Sequence, residues 1–271
     1  MIDAWPRPVL VAGPCALEPG DVNIRVAESL AELGSQLGLS VIYKGSFDKA
    51  NRTRADAPRG LGLEEGLSAL ERVKRHSGLP LLTDVHEPWQ AQPVGNVVDV
   101  LQVPAFLCRQ TDLLTAVGGT GKPVNVKKGQ WMSPESMAGA VEKLQRAGAY
   151  ATAVTERGTI FGYGDLVVDM RSFRRLKEAT GAAVLYDATH AVQRPGMGPG
   201  GVTGGCRADI PQLMYAAAAA GADGFFVETH PNPDEALSDR ESMVLLKNLR
   251  GLVEKTLDVW MRANAETVIG T

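Results

Sequence analysis

The chain has 271 residues, 44% of them hydrophobic and 22% charged, the makeup of a globular protein with a substantial buried core. Its 28 Lys and Arg oppose 31 Asp and Glu, a net charge of −3, which excludes a global basic field for nucleic acid or a membrane surface; any anion site must be built locally. Three scattered cysteines exclude a disulfide framework and point to a reducing cytoplasm.

The opening residues, MIDAWPRPVL, place no basic segment before an apolar run, so no signal peptide is expected. No apolar stretch approaches the roughly 20 residues of a membrane span. Short apolar runs then recur in order: Val9–Ala12, Val41–Tyr43, Leu81–Thr83, Val97–Val103, Val124–Val126, Thr152–Val154, Val184–Tyr186 and Phe225–Val227. Such nearly continuous hydrophobic runs suit parallel strands buried on both faces. Helical spacing of apolar residues lies between most of them, over Ile24–Gly38, Leu63–His76, Ser133–Ala147, Ser172–Thr180, Ile210–Ala220 and Arg240–Arg262. Ser133-Pro134-Glu135 reads as a helix start, with Ser as cap and Pro in the first turn. The connection Pro88–Asn96 is short. Strand and helix in eightfold alternation predict an α/β fold, a closed (β/α)8 barrel, as a single domain over residues 1–271 with residues 1–7 a short N-terminal extension. An open doubly wound sheet is the alternative, but Gly13-Pro14-Cys15-Ala16 is not the glycine-rich turn that fold carries after its first strand. The segment Gly196–Gly205 has six glycines in ten residues and is expected to be a lid loop.

In a barrel the active site lies where the C-terminal strand ends meet. Each run stops at a polar or ionisable group: Cys15, Lys44, Asp84, Gln102, Lys127 with Lys128, Glu156 with Arg157, Asp187 with His190, and Glu228. Asp239 follows Glu228 through a loop with two prolines. Cys15, His190, Glu228 and Asp239 offer a thiolate, an imidazole and two carboxylates. That mix suits a divalent transition ion, Zn or Fe(II) ahead of Mn or Co, and suits Mg or Ca poorly. His230 and His86 are lesser candidates, and His76 reads as solvated. A second, basic set comprises Lys44, Lys49, Arg52, Lys127 and Arg157, with Arg109 beside it. Lone basic residues are usually solvated surface. Five around one cavity would repel one another unless anions neutralised them, and such clamps bind phosphates and carboxylates. Lys44–Thr53 is the densest piece, with three cations among Ser, Asn and Thr donors, and reads as a substrate loop. Residue types alone describe a metal-assisted barrel enzyme for small phosphorylated molecules.

Eight segments carry a family resemblance: AGPCALE (12–18), YKGSFDKANRT (43–53), TDVHE (83–87), QVPAFLCRQTDLL (102–114), NVKKGQ (125–130), ERGTIFGYGDLVVDMR (156–171), YDATHAVQ (186–193) and ETHPNPDEALSD (228–239). Together they resemble the 3-deoxy-D-manno-octulosonate 8-phosphate synthases over nearly the whole chain. The resemblance implies condensation of phosphoenolpyruvate with D-arabinose 5-phosphate for lipopolysaccharide synthesis, in a cytoplasmic homotetramer. It implies the metal-dependent branch, because Cys15 stands where the metal-free branch has Asn, with His190, Glu228 and Asp239 completing the metal site. Lys44, Ser46, Lys49, Gln102, Lys127 and Arg157 would hold phosphoenolpyruvate. Asn51, Arg52, Thr53 and Asp84 would hold the sugar phosphate, and Arg109 would reach a neighbouring subunit's substrate. Lys49, Lys127, His190 and Asp239 would carry the catalytic work. Thr53 departs from the more usual Ser but keeps the hydroxyl. The nearest rival is the sister heptulosonate 7-phosphate synthase, which uses erythrose 4-phosphate; its sugar loop carries Lys-Pro-Arg-Thr, unlike Lys49-Ala50-Asn51-Arg52 here. A catalytically silent sugar-phosphate sensor is a rival from another class.

Overall fold

The computed structural model describes residues 5–51, 55–198 and 203–265. Eight parallel strands close on themselves. They are β1 (Val9–Ala16), β2 (Ser40–Ser46), β3 (Leu81–Asp84), β4 (Val100–Val103), β5 (Val124–Lys127), β6 (Thr152–Glu156), β7 (Ala183–Asp187) and, after the short strands β8 (Gln193–Arg194) and β9 (Gly204–Gly205), β10 (Gly224–His230). Pairing of β10 with β1, Leu10 opposite Phe225 and Ala12 opposite Val227, completes the ring. The expected (β/α)8 barrel is the observed fold.

Alternation along each strand explains the hydrophobic runs. Val9 and Val11 point into the barrel, where they pack with Ile42, Leu82, Val100, Leu185 and Phe226. Leu10 and Ala12 point outward and join the larger core between sheet and helices. Both faces are largely apolar, and the polar groups buried inside the barrel bond one another, as Asn125 Nδ2 donates to Gln102 Oε1 at 2.8 Å.

The helices are α1 (Val22–Leu37), α2 (Leu63–Ser77), α3 (Ala91–Val97), α4 (Thr111–Gly118), α5 (Ala138–Ala147), α6 (Ser172–Thr180), α7 (Ile210–Ala219) and α8 (Leu246–Asn264). Each lays a buried stripe on the sheet; in α8 that stripe is Leu249, Leu252 and Val253 with Thr256, whose hydroxyl donates to Leu252 O. Helix α1 stops at Gly38, whose φ of 60° lies in the left-handed region, and Gly38 N–H returns to Gly34 O. No helix among the described residues is long and apolar enough to cross a membrane.

Several boundaries differ from the sequence reading. Val97 ends α3 instead of opening β4. Helix α4 carried no expectation: it is only 8 residues long and ends on Gly118. Ser133 does accept the Ser136 N–H at 3.3 Å, but the first turn is a tight 3₁₀ turn over Glu135–Met137 and α5 proper starts at Ala138. The largest shift is at the C-terminal helix. Residues 240–243 turn back from the Asp239 loop, and β11 (Val244–Leu245) pairs with Thr229–His230 before α8 begins at Leu246.

Candidate active site

Strand β1 carries a local irregularity that shapes the site. Its register with β2 shifts between Ala12 and Cys15. A Cβ on Gly13 would lie 1.8 Å from Lys44 O, so only glycine permits this approach. Beyond it, Cys15 has φ of 71°. Among the described residues three non-glycine residues have positive φ, and two are Cys15 and Asp239 (55°). Side chains held in that region cost free energy, which concentrates at functional sites.

The sulfur of Cys15, a carboxylate oxygen of Glu228 and one of Asp239 all lie within 4.8 Å of one another. Cys15 Sγ donates to Asp239 Oδ2 at 3.1 Å. Lys44 Nζ occupies Glu228 Oε1 at 3.0 Å, while the buried Oε2 has no hydrogen-bond partner among the described residues. His190 stands beside this group, with Nε2 3.9 Å from Glu228 Oε2. Its Nδ1 faces Asp187 Oδ1 at 3.1 Å, which turns Nε2 toward the cluster. Burial pushes the Cys15 thiol well up, and the neighbouring Glu228 and Asp239 charges add to this. A cation would reverse that: the thiolate is the ligand form. Soft sulfur, imidazole, two carboxylates and an orphaned buried oxygen fit a divalent transition ion.

The cation set is more balanced than the sequence suggested. Lys44, 2% exposed, pairs with Glu228 and stands 3.6 Å from Asp84 Oδ2. Burial alone would lower its pKa, but Glu228 and Asp84 outweigh burial and raise it. Lys127 pairs with Asp187, and its Nζ lies 3.6 Å above the centroid of the Phe226 ring. There burial wins and pushes its pKa down. Burial likewise lowers Arg157, whose Nη2 donates to His190 O at 3.2 Å. So mutual repulsion among these cations is largely offset by Asp84, Asp187, Glu228 and Asp239. An incoming anion competes with these carboxylates. Ser46 Oγ hydrogen-bonds to Asp84, Gln102 Nε2 donates to Asp84 Oδ1 at 2.6 Å, and Lys49 Nζ donates to Ser46 Oγ at 3.2 Å.

These groups surround one cavity of about 640 Å³ at the C-terminal end of the barrel. Lys44, Lys49, Asn51, Asp84, Gln102, Lys127, Arg157, His190 and Asp239 line it, with His86 at its edge. Ser46, Glu228 and Cys15 lie directly behind. Arg109 is exposed and does not line the cavity of its own chain. Arg52 and Thr53 lie outside the described residues. Of the expected lid, Gly196 and Gly204 line the cavity, and residues 199–202 also lie outside the described residues. His230 turns away from the cluster, its Nε2 facing Glu18 Oε1 at 3.4 Å.

Four contributors carried no assigned role in the sequence. Phe226 is the apolar floor under Lys127; alternation with Glu228 on β10 is the signal that places it there. Asp187 holds both Lys127 and His190. Lys128 is fully buried; it donates to the carbonyls of Gly129, Met132 and Gly158 and pairs with Glu156 at 3.4 Å. Gln193 lines the cavity between Arg157 and Asp239.

A barrel whose rim gathers a thiol, an imidazole, carboxylates and buried cations around one cavity has the makeup of an enzyme, and the chain belongs to the DAHP synthetase I family, which it matches over residues 5–262. It is 49% identical over 250 residues to a protein of Cyanothece sp. named 2-dehydro-3-deoxyphosphooctonate aldolase, spanning 92% of this chain and 91% of that relative. Proteins of the same name from Synechococcus sp. (51% over 250 residues, 92% and 87% covered) and Bradyrhizobium diazoefficiens (50% over 248 residues, 92% and 88%) are similarly related.

Proposed function

We propose that this chain condenses phosphoenolpyruvate with D-arabinose 5-phosphate and water, giving 3-deoxy-D-manno-octulosonate 8-phosphate, a lipopolysaccharide precursor, and inorganic phosphate. The observation that carries the reading is the meeting of an anion pocket and a Cys/Glu/Asp cluster on one rim, in a chain half identical to relatives bearing that enzyme's name.

Lys127 and Arg157, with Lys49, take the phosphate and carboxylate of phosphoenolpyruvate; Lys44, Ser46 and Gln102 complete that half. Asn51, Arg52, Thr53 and Asp84 hold the sugar phosphate. The vinyl carbon attacks the aldehyde, C2 becomes cationic, water adds there, and phosphate leaves. Two anions must be held side by side, and neutralising cations in a dry pocket supply much of the rate by positioning and electrostatics. Of the carboxylates of Asp187, Glu228 and Asp239, that of Asp239 lines the cavity, and it can balance positive charge that develops there. His190, oriented by Asp187, and Asp239 are the groups placed to move a proton. Cys15, His190, Glu228 and Asp239 would hold a divalent transition ion, Zn or Fe(II), which when bound supplies Lewis acidity toward the aldehyde or the water.

The chain is read as one barrel domain of the cytoplasm, residues 1–7 a short extension, assembled as a homotetramer. Support for assembly comes from an exposed aromatic pair: Phe106, three positions before the exposed Arg109, stacks on the exposed Trp131 with centroids 5.9 Å apart. In that assembly Arg109 serves a phosphate of the neighbouring subunit's substrate. The test is phosphate release from phosphoenolpyruvate with arabinose 5-phosphate and erythrose 4-phosphate offered separately. Preference for the five-carbon aldose is expected; preference for erythrose 4-phosphate assigns the heptulosonate reaction instead, and release with neither leaves a binding protein.

A further inference from the structure

Gln193 touches both halves of the site. Arg157 Nη2 donates to Gln193 Oε1 at 2.6 Å, and Gln193 Nε2 donates to Asp239 Oδ1 at 2.5 Å. Partner chemistry fixes this orientation: a guanidinium only donates and a carboxylate only accepts, so the amide has one satisfiable arrangement. Glutamine presents an acceptor and a donor side by side without charge. A carboxylate there would repel Asp239, and an ammonium would repel Arg157.

The contact has consequences on both sides. Asp239 has Oδ1 engaged by Gln193 and Oδ2 directed at Cys15 Sγ, 3.1 Å away, with Ser238 Oγ at 2.6 Å on the same oxygen. One carboxylate oxygen is thereby reserved for the cluster. Arg157, 5% exposed, has its Nη2 held by Gln193 and by His190 O, while its buried Nε has no partner among the described residues. The backbones are fastened as well. Gln193 pairs with Gly205 across β8 and β9; Gly205 N–H donates to Glu241 Oε2 at 2.9 Å, and Arg207 N–H donates to Glu241 O at 3.1 Å. The strap carrying Gln193 and the loop carrying Asp239 are therefore joined at a second place.

We propose that Gln193 is a positioning residue that couples the anion pocket to the metal-binding carboxylate, so that filling either half organises the other. This rests on the reading that Arg157 holds the phosphoenolpyruvate anion and that Asp239 is a ligand. Coupling is reciprocal: the factor by which metal tightens the anion equals the factor by which the anion tightens metal.

The experiment compares wild type with Gln193→Met, which keeps volume and removes both hydrogen bonds, and with Gln193→Ala. Thermal unfolding first establishes which variants are folded. Phosphoenolpyruvate is then titrated calorimetrically into protein stripped by chelator and into protein loaded with Co(II). Co(II) affinity is read separately from the thiolate-to-cobalt absorption of Cys15. Wild type is expected to bind phosphoenolpyruvate at least about fivefold tighter when loaded. Both variants lose about tenfold in Co(II) affinity, and the fivefold factor falls to one. A variant that keeps the wild-type factor overturns the proposal, as does wild type with a factor of one. A purely structural Gln193 would lower the unfolding temperature and leave the factor untouched. Wild type that binds no phosphoenolpyruvate would sink the proposed function alone. Inorganic phosphate, titrated the same way, then reports on Arg157 with the same expected factor and the same overturning result.

Discussion

Lys128 and Glu156 form a buried ion pair that no substrate need touch, and Lys128→Met isolates what it does. Both side chains are almost fully inaccessible, at 0% and 1% exposure. Methionine fills nearly the same volume, so the cavity contribution is small. What changes is charge and hydrogen bonding. Glu156 Oε1 keeps the Gly158 N–H at 2.6 Å, but the carboxylate loses its only buried cation among the described residues within ion-pair distance. A buried carboxylate left without its cation is strongly destabilising. The carbonyls of Gly129, Met132 and Gly158 lose a shared donor too. Removing one partner of a buried pair costs about 4 kcal/mol. At about 2–4 °C per kcal/mol for large domains, the unfolding midpoint falls by roughly 8–16 °C. Differential scanning calorimetry of Lys128→Met, Glu156→Gln and the double variant is the assay. The double variant, with no stranded charge, should recover at least about 2 kcal/mol relative to the sum of the singles. Lys127 and Arg157 are the sequence neighbours of this pair, so the folded fraction of Lys128→Met should show a raised KM for phosphoenolpyruvate. A loss below about 1 kcal/mol, or strict additivity in the cycle, would refute the reasoning.

Other perturbations have equally definite outcomes. Cys15→Ala should abolish stoichiometric metal binding and most turnover, measured by metal analysis and phosphate release; full activity after chelation would remove the metal from the account, and Cys15→Asn is the variant expected to regain some turnover. Gly13→Ala places a methyl group 1.8 Å from the Lys44 carbonyl, so β1 or β2 must shift, at a cost of about 3 kcal/mol or more; a folded variant with unchanged metal affinity would mean that this close approach does not position Cys15. Burial favours the neutral form of Asp84, yet Lys44 and Lys49 outweigh it and hold the carboxyl far below its ordinary range. A carboxyl with a depressed folded pKa stabilises fully above its unfolded pKa of ~3.9, and that contribution fades as pH falls further. Asp84→Asn should therefore flatten the acid limb of the stability profile below about pH 4; an unchanged limb in denaturant titrations would contradict the pairing with Lys44.

The barrel was legible because strands buried on both faces are mostly apolar until they approach their C-terminal ends. Val9–Ala12 and Phe225–Val227 run apolar up to the points where Cys15 and Glu228 appear. The grouping of Cys15 with Glu228 was legible for the same reason, since a thiol and a carboxylate stand where those runs end. Pairing was not legible. Lys44 meets Glu228 across 184 positions and Lys127 meets Asp187 across 60, distances that only closure of the ring converts into contact. Those pairings are why the cations need no anion to coexist, contrary to the sequence expectation. Helix α4 escaped notice because its short stripe of Leu113, Leu114 and Val117 spans barely two turns. The start of α8 was misplaced because Arg240–Leu245 has the polarity of a helix start but spends its backbone on the Asp239 turn and on β11. Gln193 closes one of the segments that carry the family resemblance, YDATHAVQ, but its residue type and spacing gave it no role.

The most direct test of the central claim, that one rim serves both a cation and two anionic reactants, is phosphate release on mixing phosphoenolpyruvate with arabinose 5-phosphate, before chelation, after it, and after Zn or Fe(II) is restored. The account predicts release that requires both substrates, collapses with the chelator and returns with the ion. Release that proceeds undiminished in the metal-stripped protein, or that needs no aldose, would contradict it.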